Sequence, residues 1–181
     1  TAIDQLVYIE TLIMEIKNIE VLYREIRKIG IILKKNKKNP DWIRLVNKNK
    51  NTTEADFKID TLLRFVLQKK IDDIPYYSEE VPHNIKDRSD KYWLADPIDG
   101  TSSWLEGFNG YVIQAAYVVN NRPIFAFIYW PEKEKFYHCM KNNGCFLNLK
   151  KFNSRNNQKT PLRVIDNYPE PRGVLKKFIK Q

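Results

Sequence analysis

Cysteine is scarce in this 181-residue chain, with only Cys139 and Cys145 present. Two thiols build no disulfide framework, which argues against a small stapled secreted scaffold and makes the reducing cytoplasm the default compartment. No run of eighteen apolar residues occurs, so no membrane-spanning helix is expected. The N-terminal residues lack the basic, then apolar, then small-residue order of a secretory signal. No serine or cysteine sits in a nucleophile elbow or triad pattern, and no internal repeat stands out.

What is present argues for a packed globule. Hydrophobic residues make up 43% and aromatic residues 13%, enough for one domain with a sizeable core and too much for disorder. The net charge of +9 invites a nucleic-acid reading, but the distribution argues against it. Basic residues crowd Lys34 to Lys50 and Lys150 to Lys180, while twelve of the twenty-two acids lie between Glu54 and Glu106. An acidic middle flanked by basic surface suits a cation site that also attracts anions. The basic runs are read as solvated surface, with no nucleic-acid partner expected.

The apolar pattern gives a coarse architecture. Leu6, Ile9, Ile13, Ile16, Leu22, Ile26 and Ile29 recur at helical spacing, which predicts a long amphipathic helix over Ile3 to Ile29 with Gly30 near its end. This stripe is expected to pack on a sheet. A second helix is predicted from Ala55 to Lys69, capped by Thr52 or Thr53 with acids in its first turn. Short strands are predicted at Ile74–Ser78 and Tyr92–Ala95, with a short helical turn after Thr101. Gly110–Val119, Pro123–Trp130, Lys135–Met140 and Cys145–Leu149 then read as an antiparallel meander turning at Asn120-Asn121 and Asn142-Asn143-Gly144. The fold class is therefore α+β, with helices layered on an antiparallel sheet.

One stretch carries the chemistry: Tyr92-Trp93-Leu94-Ala95-Asp96-Pro97-Ile98-Asp99-Gly100-Thr101. Pro97 fixes its own backbone and biases Asp96 to an extended shape. Asp96 and Asp99 can then converge on one hard cation, with the Ile98 carbonyl as a further oxygen ligand. Gly100 permits close backbone approach, and the amides that open the next helix can hold a phosphate.

Trp93-x-x-Asp96-Pro97-x-Asp99-Gly100-Thr101 resembles the signature of the magnesium-dependent, lithium-sensitive phosphatases of the inositol monophosphatase superfamily. That superfamily includes 3'(2'),5'-bisphosphate nucleotidase and fructose-1,6-bisphosphatase. Thr53-Glu54-Ala55-Asp56 is similar to its Thr-x-x-Asp segment, and Tyr77-Ser78-Glu79-Glu80 to its Glu-Glu segment, in the same order. The resemblance implies hydrolysis of a small phosphate monoester. It implies that Glu79, Asp96 and the Ile98 carbonyl bind a first Mg²⁺, and that Asp96 and Asp99 bind a second. It further implies that Asp56 holds the Thr101 hydroxyl, that Thr101 orients the attacking water, and that the amides of Gly100, Thr101 and Ser102 contact the phosphate. Glu80 is implied to stand behind the ligands. Mn²⁺ is an expected substitute for Mg²⁺, and Li⁺ an expected inhibitor.

By the same resemblance, residues 1–160 form the N-terminal α+β metal- and phosphate-binding half of an αβαβα sugar-phosphatase fold. Residues 161–181 begin an incomplete C-terminal α/β domain, with a strand at Pro161–Ile165 and a helix at Pro171–Lys180. The sequence contains no Trp-Asp pair, the family's source of a further carboxylate for the second metal. Another chain such as a separate C-terminal half, a homodimer partner or relaxed coordination would replace that group in an active enzyme. Ser78-Glu79-Glu80 after Pro75, and Tyr129-Trp130-Pro131, resemble the bisphosphate nucleotidase branch more than the inositol phosphatases. Two other readings of the whole stay open: a catalytically inactive remnant of the family, and a basic binding module on the same scaffold.

Other candidates read as structure. His138, Cys139, Cys145 and His83 lack the spacing of a zinc finger or ribbon, and His138 and Cys139 should face opposite sides of a strand. Trp104, Phe108 and Tyr111 are expected in the core rather than lining a substrate pocket.

Overall fold

The computed structural model describes residues 2–47, 52–81 and 89–152, with side-chain surroundings from Ile19 onward. The elements expected in 161–181, the boundary at residue 160 and His83 lie outside the described residues.

The first helix, α1 (Ala2–Lys35), runs past the end expected from the apolar pattern. Leu22, Ile26, Ile29 and Leu33, spaced by three and four residues, are all buried. Gly30 is not a terminator. A side chain there would collide with the Tyr129 ring, so glycine sets how closely the helix lies on the sheet. A short α2 (Pro40–Ile43) follows, capped by the Asn39 side chain, which accepts from the Asp41 amide at 3.0 Å. The two-stranded pair β1 (Leu45–Asn47) and β2 (Thr52–Thr53) leads into α3 (Glu54–Phe65). The helix expected to reach Lys69 changes at Val66 into a π-helical turn that ends at Ile71. Ile59, Leu63 and Leu67 are fully buried and join the α1 stripe in one core.

The sheet has seven strands in chain order: β3 (Tyr76–Ser78), β4 (Lys91–Asp99), β5 (Val112–Val119), β6 (Arg122–Trp130), β7 (Lys135–Met140), β8 (Gly144–Leu147) and β9 (Lys150–Phe152). From β4 onward every pairing is antiparallel, whereas β3 and β4 run parallel. Asn120 and Asn121 turn β5 into β6 with φ of 48° and 59°, the left-handed conformation asparagine tolerates in a two-residue hairpin. The helices cover one face, where Trp93, Ile113, Phe127, Tyr129 and Phe136 meet α1 and α3. This is the expected α+β layering. Between β4 and β5 lies α4 (Thr101–Leu105). Trp104 and Tyr111 are fully buried, and the Trp104 indole donates to the Leu33 carbonyl at 3.3 Å. Among the described residues no helix is long and apolar enough to cross a membrane.

The β7–β8 hairpin places Cys139 opposite Cys145 and joins them in a disulfide, a single bridge where the sequence reading expected no framework. His138, one residue away, points to the other face and is buried, with no hydrogen-bond partner for Nδ1 among the described residues. Its ring stacks on Phe146 with centroids 4.8 Å apart, and Phe136 lies at 5.2 Å. Desolvation holds its pKa down at about 4, from 6.5. The unfolded chain therefore takes up this proton near pH 6.5 and the folded one only near 4. Stability should fall as pH drops through that window, by at most about 1.4 kcal/mol per unit from this group. His138→Phe should flatten that part of the profile, making the stability lost between pH 7 and 5 about 1–2 kcal/mol smaller in urea melts. An unchanged loss would mean that His138 charges freely in the folded state.

Candidate active site

The acidic segment is built by strand pairing. In the parallel pair β3–β4, Ser78 is in register with Ala95, so Glu79 leaves β3 beside Asp96. Asp99 lies three positions after Asp96, and in a regular strand that spacing would send their side chains to opposite faces. The register breaks between them: Asp96 pairs with Gln114, and Asp99 with Val112, two residues further along β5. The extra residue in β4 is a bulge, formed where Pro97 has no amide hydrogen to give the ladder. Both carboxylates thereby reach the same face. One amide confirms their proximity: Gln114 Nε2 donates to Asp99 Oδ2 at 2.9 Å and to Asp96 Oδ2 at 3.4 Å.

The start of α3 builds a second part. Thr53 is its N-cap in a capping box, the side chain accepting from the Ala55 amide at 3.2 Å. The Thr53 amide and hydroxyl donate to Asp56 Oδ2 at 2.6 and 2.7 Å. The other oxygen, Oδ1, lies 2.9 Å from Thr101 Oγ1. That hydroxyl also lies 3.0 Å from the Ile98 carbonyl, and its one proton serves one acceptor at a time. Gly100 turns the chain from β4 into α4 at φ 91°. A Cβ there would come within 2.7 Å of the Gly110 carbonyl, so the turn is tight against the start of β5 as well as left-handed. The chain around Gly110 is braced in turn. Ser103 Oγ accepts from the Gly110 amide at 3.2 Å, and Tyr111 donates to Glu132, itself paired with Lys37.

The carboxylates crowd one another. Burial, Glu79 and Asp99 push the Asp96 carboxyl up to about 7. Glu80, half-buried, is pushed up to about 8 by burial and then by Asp56, Glu79, Asp96 and Asp60. Burial also raises Asp56, against the pull of its bonds from Thr53 and Thr101. Asp96 Oδ1 is buried and faces no hydrogen-bond donor among the described residues. An all-oxygen group of mutually repelling carboxylates, with one buried oxygen lacking a donor, fits a hard divalent cation. Among the described residues no three acidic, histidine or cysteine side chains close into a preformed cage. Paired carboxylates with open positions suit Mg²⁺ better than Ca²⁺, because Mg²⁺ keeps several waters and leans on substrate phosphate.

The structure thus brings Asp56 to Thr101 and Asp96 to Asp99 and to Glu79, with Glu80 near enough to feel the charges of Asp56, Glu79 and Asp96. Sequence reasoning missed Gln114, whose signal was a lone amide in the otherwise apolar β5, and it missed the Ser103 and Tyr111–Glu132 braces. Residues 16–168 match the inositol monophosphatase family. The chain belongs to that family. Among inositol monophosphatase relatives, a 3'(2'),5'-bisphosphate nucleotidase of Shigella flexneri is 30% identical over 91 residues, which cover 49% of this chain and 37% of that protein. The IMPase of Thermotoga maritima superposes with a TM-score of 0.65 at 23% identity, over 78% of this chain and 55% of the other. An IMPase/NADP phosphatase solved with Mg²⁺ and phosphate gives 0.63 at 20% identity, over 73% and 51%. The chain therefore spans about half the length, or less, of the inositol monophosphatase family members compared here.

Proposed function

We propose that this chain carries the metal- and phosphate-binding part of a Mg²⁺-dependent phosphatase acting on a small phosphate monoester. The observation that carries the reading is the meeting of Asp96 and Asp99 on one face, with Asp96 Oδ1 buried and without a donor among the described residues. Membership of a phosphatase family and the Mg²⁺ and phosphate in one structural neighbour support it. When bound, divalent cations would neutralise the phosphate and make water a usable nucleophile at neutral pH.

The chain's own residues divide the remaining work. Glu79, Asp96 and the Ile98 carbonyl would hold one cation, and Asp96 and Asp99 a second. Asp56 Oδ1 takes the Thr101 hydroxyl proton in a hydrogen bond, which leaves the Thr101 oxygen as an acceptor that orients the attacking water. The amides of Gly100, Thr101 and Ser102 are the phosphate contacts. Glu80 is not a ligand in this reading, and adds negative potential behind the cations. The further carboxylate that the second cation takes in the family is not placed by the described residues. The nucleotidase relative and Ser78-Glu79-Glu80 favour a 3'(2'),5'-bisphosphate nucleotide over an inositol phosphate.

The test is phosphate release at saturating Mg²⁺ from adenosine 3',5'-bisphosphate and inositol 1-phosphate. Release is expected, faster from the nucleotide. Thr101→Ala should lower kcat by about 10²-fold while leaving Mg²⁺ affinity nearly unchanged, since the side chain positions water rather than metal. The reverse split would make Thr101 a helix-start residue only. A folded protein that neither releases phosphate nor responds to Mg²⁺ would overturn the proposal.

A further inference from the structure

Gln114 has no role in the reading above, yet its amide touches both aspartates. It sits opposite Asp96 in β5, half-buried, on the strand that packs against the bulge. A side-chain amide nitrogen has two hydrogens in a fixed plane, and both are committed here to different carboxylates, at 2.9 Å on Asp99 and 3.4 Å on Asp96. The neighbours of Gln114 along β5 are Val112, Ile113, Ala115 and Ala116, so no other side chain there can donate. Asp96 needs such a tether. Among the described residues its Oδ1 has no donor and its Oδ2 takes the Gln114 amide, while the Glu79 carboxyl crowds the same group.

Resting on the reading of this cluster as a cation site, we infer that Gln114 is a positioning residue that ties Asp96 Oδ2 and Asp99 Oδ2 together and presets the site. The amide holds the two carboxylates at one spacing and offsets part of their repulsion before any cation arrives. It also fixes which oxygens stay free: Asp96 Oδ1 and Asp99 Oδ1 remain for a ligand to take. Without the tether each carboxylate could rotate away, and binding would have to reorder both. Groups that orient metal ligands in this way typically contribute about 10–100-fold to metal affinity.

The experiment is Mn²⁺ binding to the whole chain without substrate, reading free Mn²⁺ by electron paramagnetic resonance, on wild type, Gln114→Leu, Gln114→Asn and Asp96→Asn. Gln114→Leu keeps the volume and removes both donors, and its Mn²⁺ affinity should fall about 10-fold or more. Gln114→Asn keeps a donor on a side chain one methylene shorter, and should fall between the two. Melting temperatures in EDTA accompany each titration, because a purely structural role would lower them and leave affinity alone. Wild-type affinity retained in Gln114→Leu would overturn the inference, and so would tighter binding, which would make Gln114 a competitor for the cation. If Gln114→Leu fails to fold, an Asn variant with unaltered affinity overturns it equally. Failure of the underlying reading looks different: wild type itself would bind no Mn²⁺, or Asp96→Asn would bind it as well as wild type.

Discussion

Asp96→Asn should abolish Mg²⁺-dependent phosphate release, by on the order of 10³-fold or more, and yet leave a protein that is more stable in EDTA than the wild type. The two effects share one cause. Asp96 lies between Glu79 and Asp99 with its pKa raised to about 7, so at pH 8 the metal-free fold carries a buried charge among like charges. The Gln114 amide, a donor to it at 3.4 Å, offsets only part of that cost. An asparagine keeps the shape and an oxygen for Gln114 while removing the charge. The same charge is what both the cation held with Glu79 and the cation held with Asp99 would require. Mg²⁺ should therefore raise the melting temperature of the wild type at pH 8 and leave the Asn variant unmoved. Differential scanning fluorimetry with and without Mg²⁺ reads both halves. An Asn variant that melts below the wild type in EDTA would show that Asp96 stabilises the fold, and continued turnover would remove it from the metal site.

The elements around Asp96 were legible to different degrees, for physical reasons. Periodicity located α1 because Leu22, Ile26, Ile29 and Leu33 bury one stripe, but it could not say that Gly30 is there for close packing on Tyr129. A glycine near the end of an apolar stripe signals a terminus unless the neighbour is known. The meander from Val112 to Leu147 was readable because asparagine and glycine mark two of its turns, at Asn120-Asn121 and at Asn142 to Gly144. The parallel pairing of β3 with β4 was not, since nothing local encodes whether a three-residue strand runs parallel or antiparallel to the next one. The Cys139–Cys145 pairing could have been read from turn arithmetic. Met140 faces Gly144 across the hairpin, so the next pair outward must be Cys139 and Cys145.

In the site, the carboxylates and their convergence were legible, and the register break that brings them together was not. Asp96 and Asp99 stand out in any reading, but at a spacing of three in a strand they should diverge. Their convergence depends on the bulge at Pro97, and the proline alone does not reveal which face the bulge selects. Gln114 was invisible for the same reason. It becomes meaningful only once register puts it across from Asp96, since a single amide in an apolar strand otherwise reads as a solvent-facing position. Asp56 was legible twice over, as a first-turn helix acid and through its family resemblance. The structure shows those two descriptions to be one set of hydrogen bonds.

That dual use of Asp56 gives the last expectation. One carboxylate closes the capping box of α3 through Oδ2 and reaches Thr101 through Oδ1, and both Asp56 and Thr53 are fully buried. Asp56→Ala leaves the Thr53 amide and hydroxyl without their acceptor, and unpaired buried donors cost about 1–3 kcal/mol each. Against this, the variant removes a buried charge whose pKa is raised and which repels Glu80. The donors outnumber the relieved charge, so a net loss near 2 kcal/mol is expected in urea melts. Turnover should fall as well, because Thr101 Oγ1 would then give its proton only to the Ile98 carbonyl and turn its lone pairs elsewhere. Two single changes separate these roles. Thr53→Ala should lose stability and keep kcat, and Thr101→Ala should lose kcat and keep stability, with Asp56→Ala losing both. If Thr53→Ala reduced kcat as strongly as Thr101→Ala, the helix cap itself would be setting the catalytic geometry. In that case the carboxylate's bond to Thr101 would be a consequence of the fold rather than part of the chemistry.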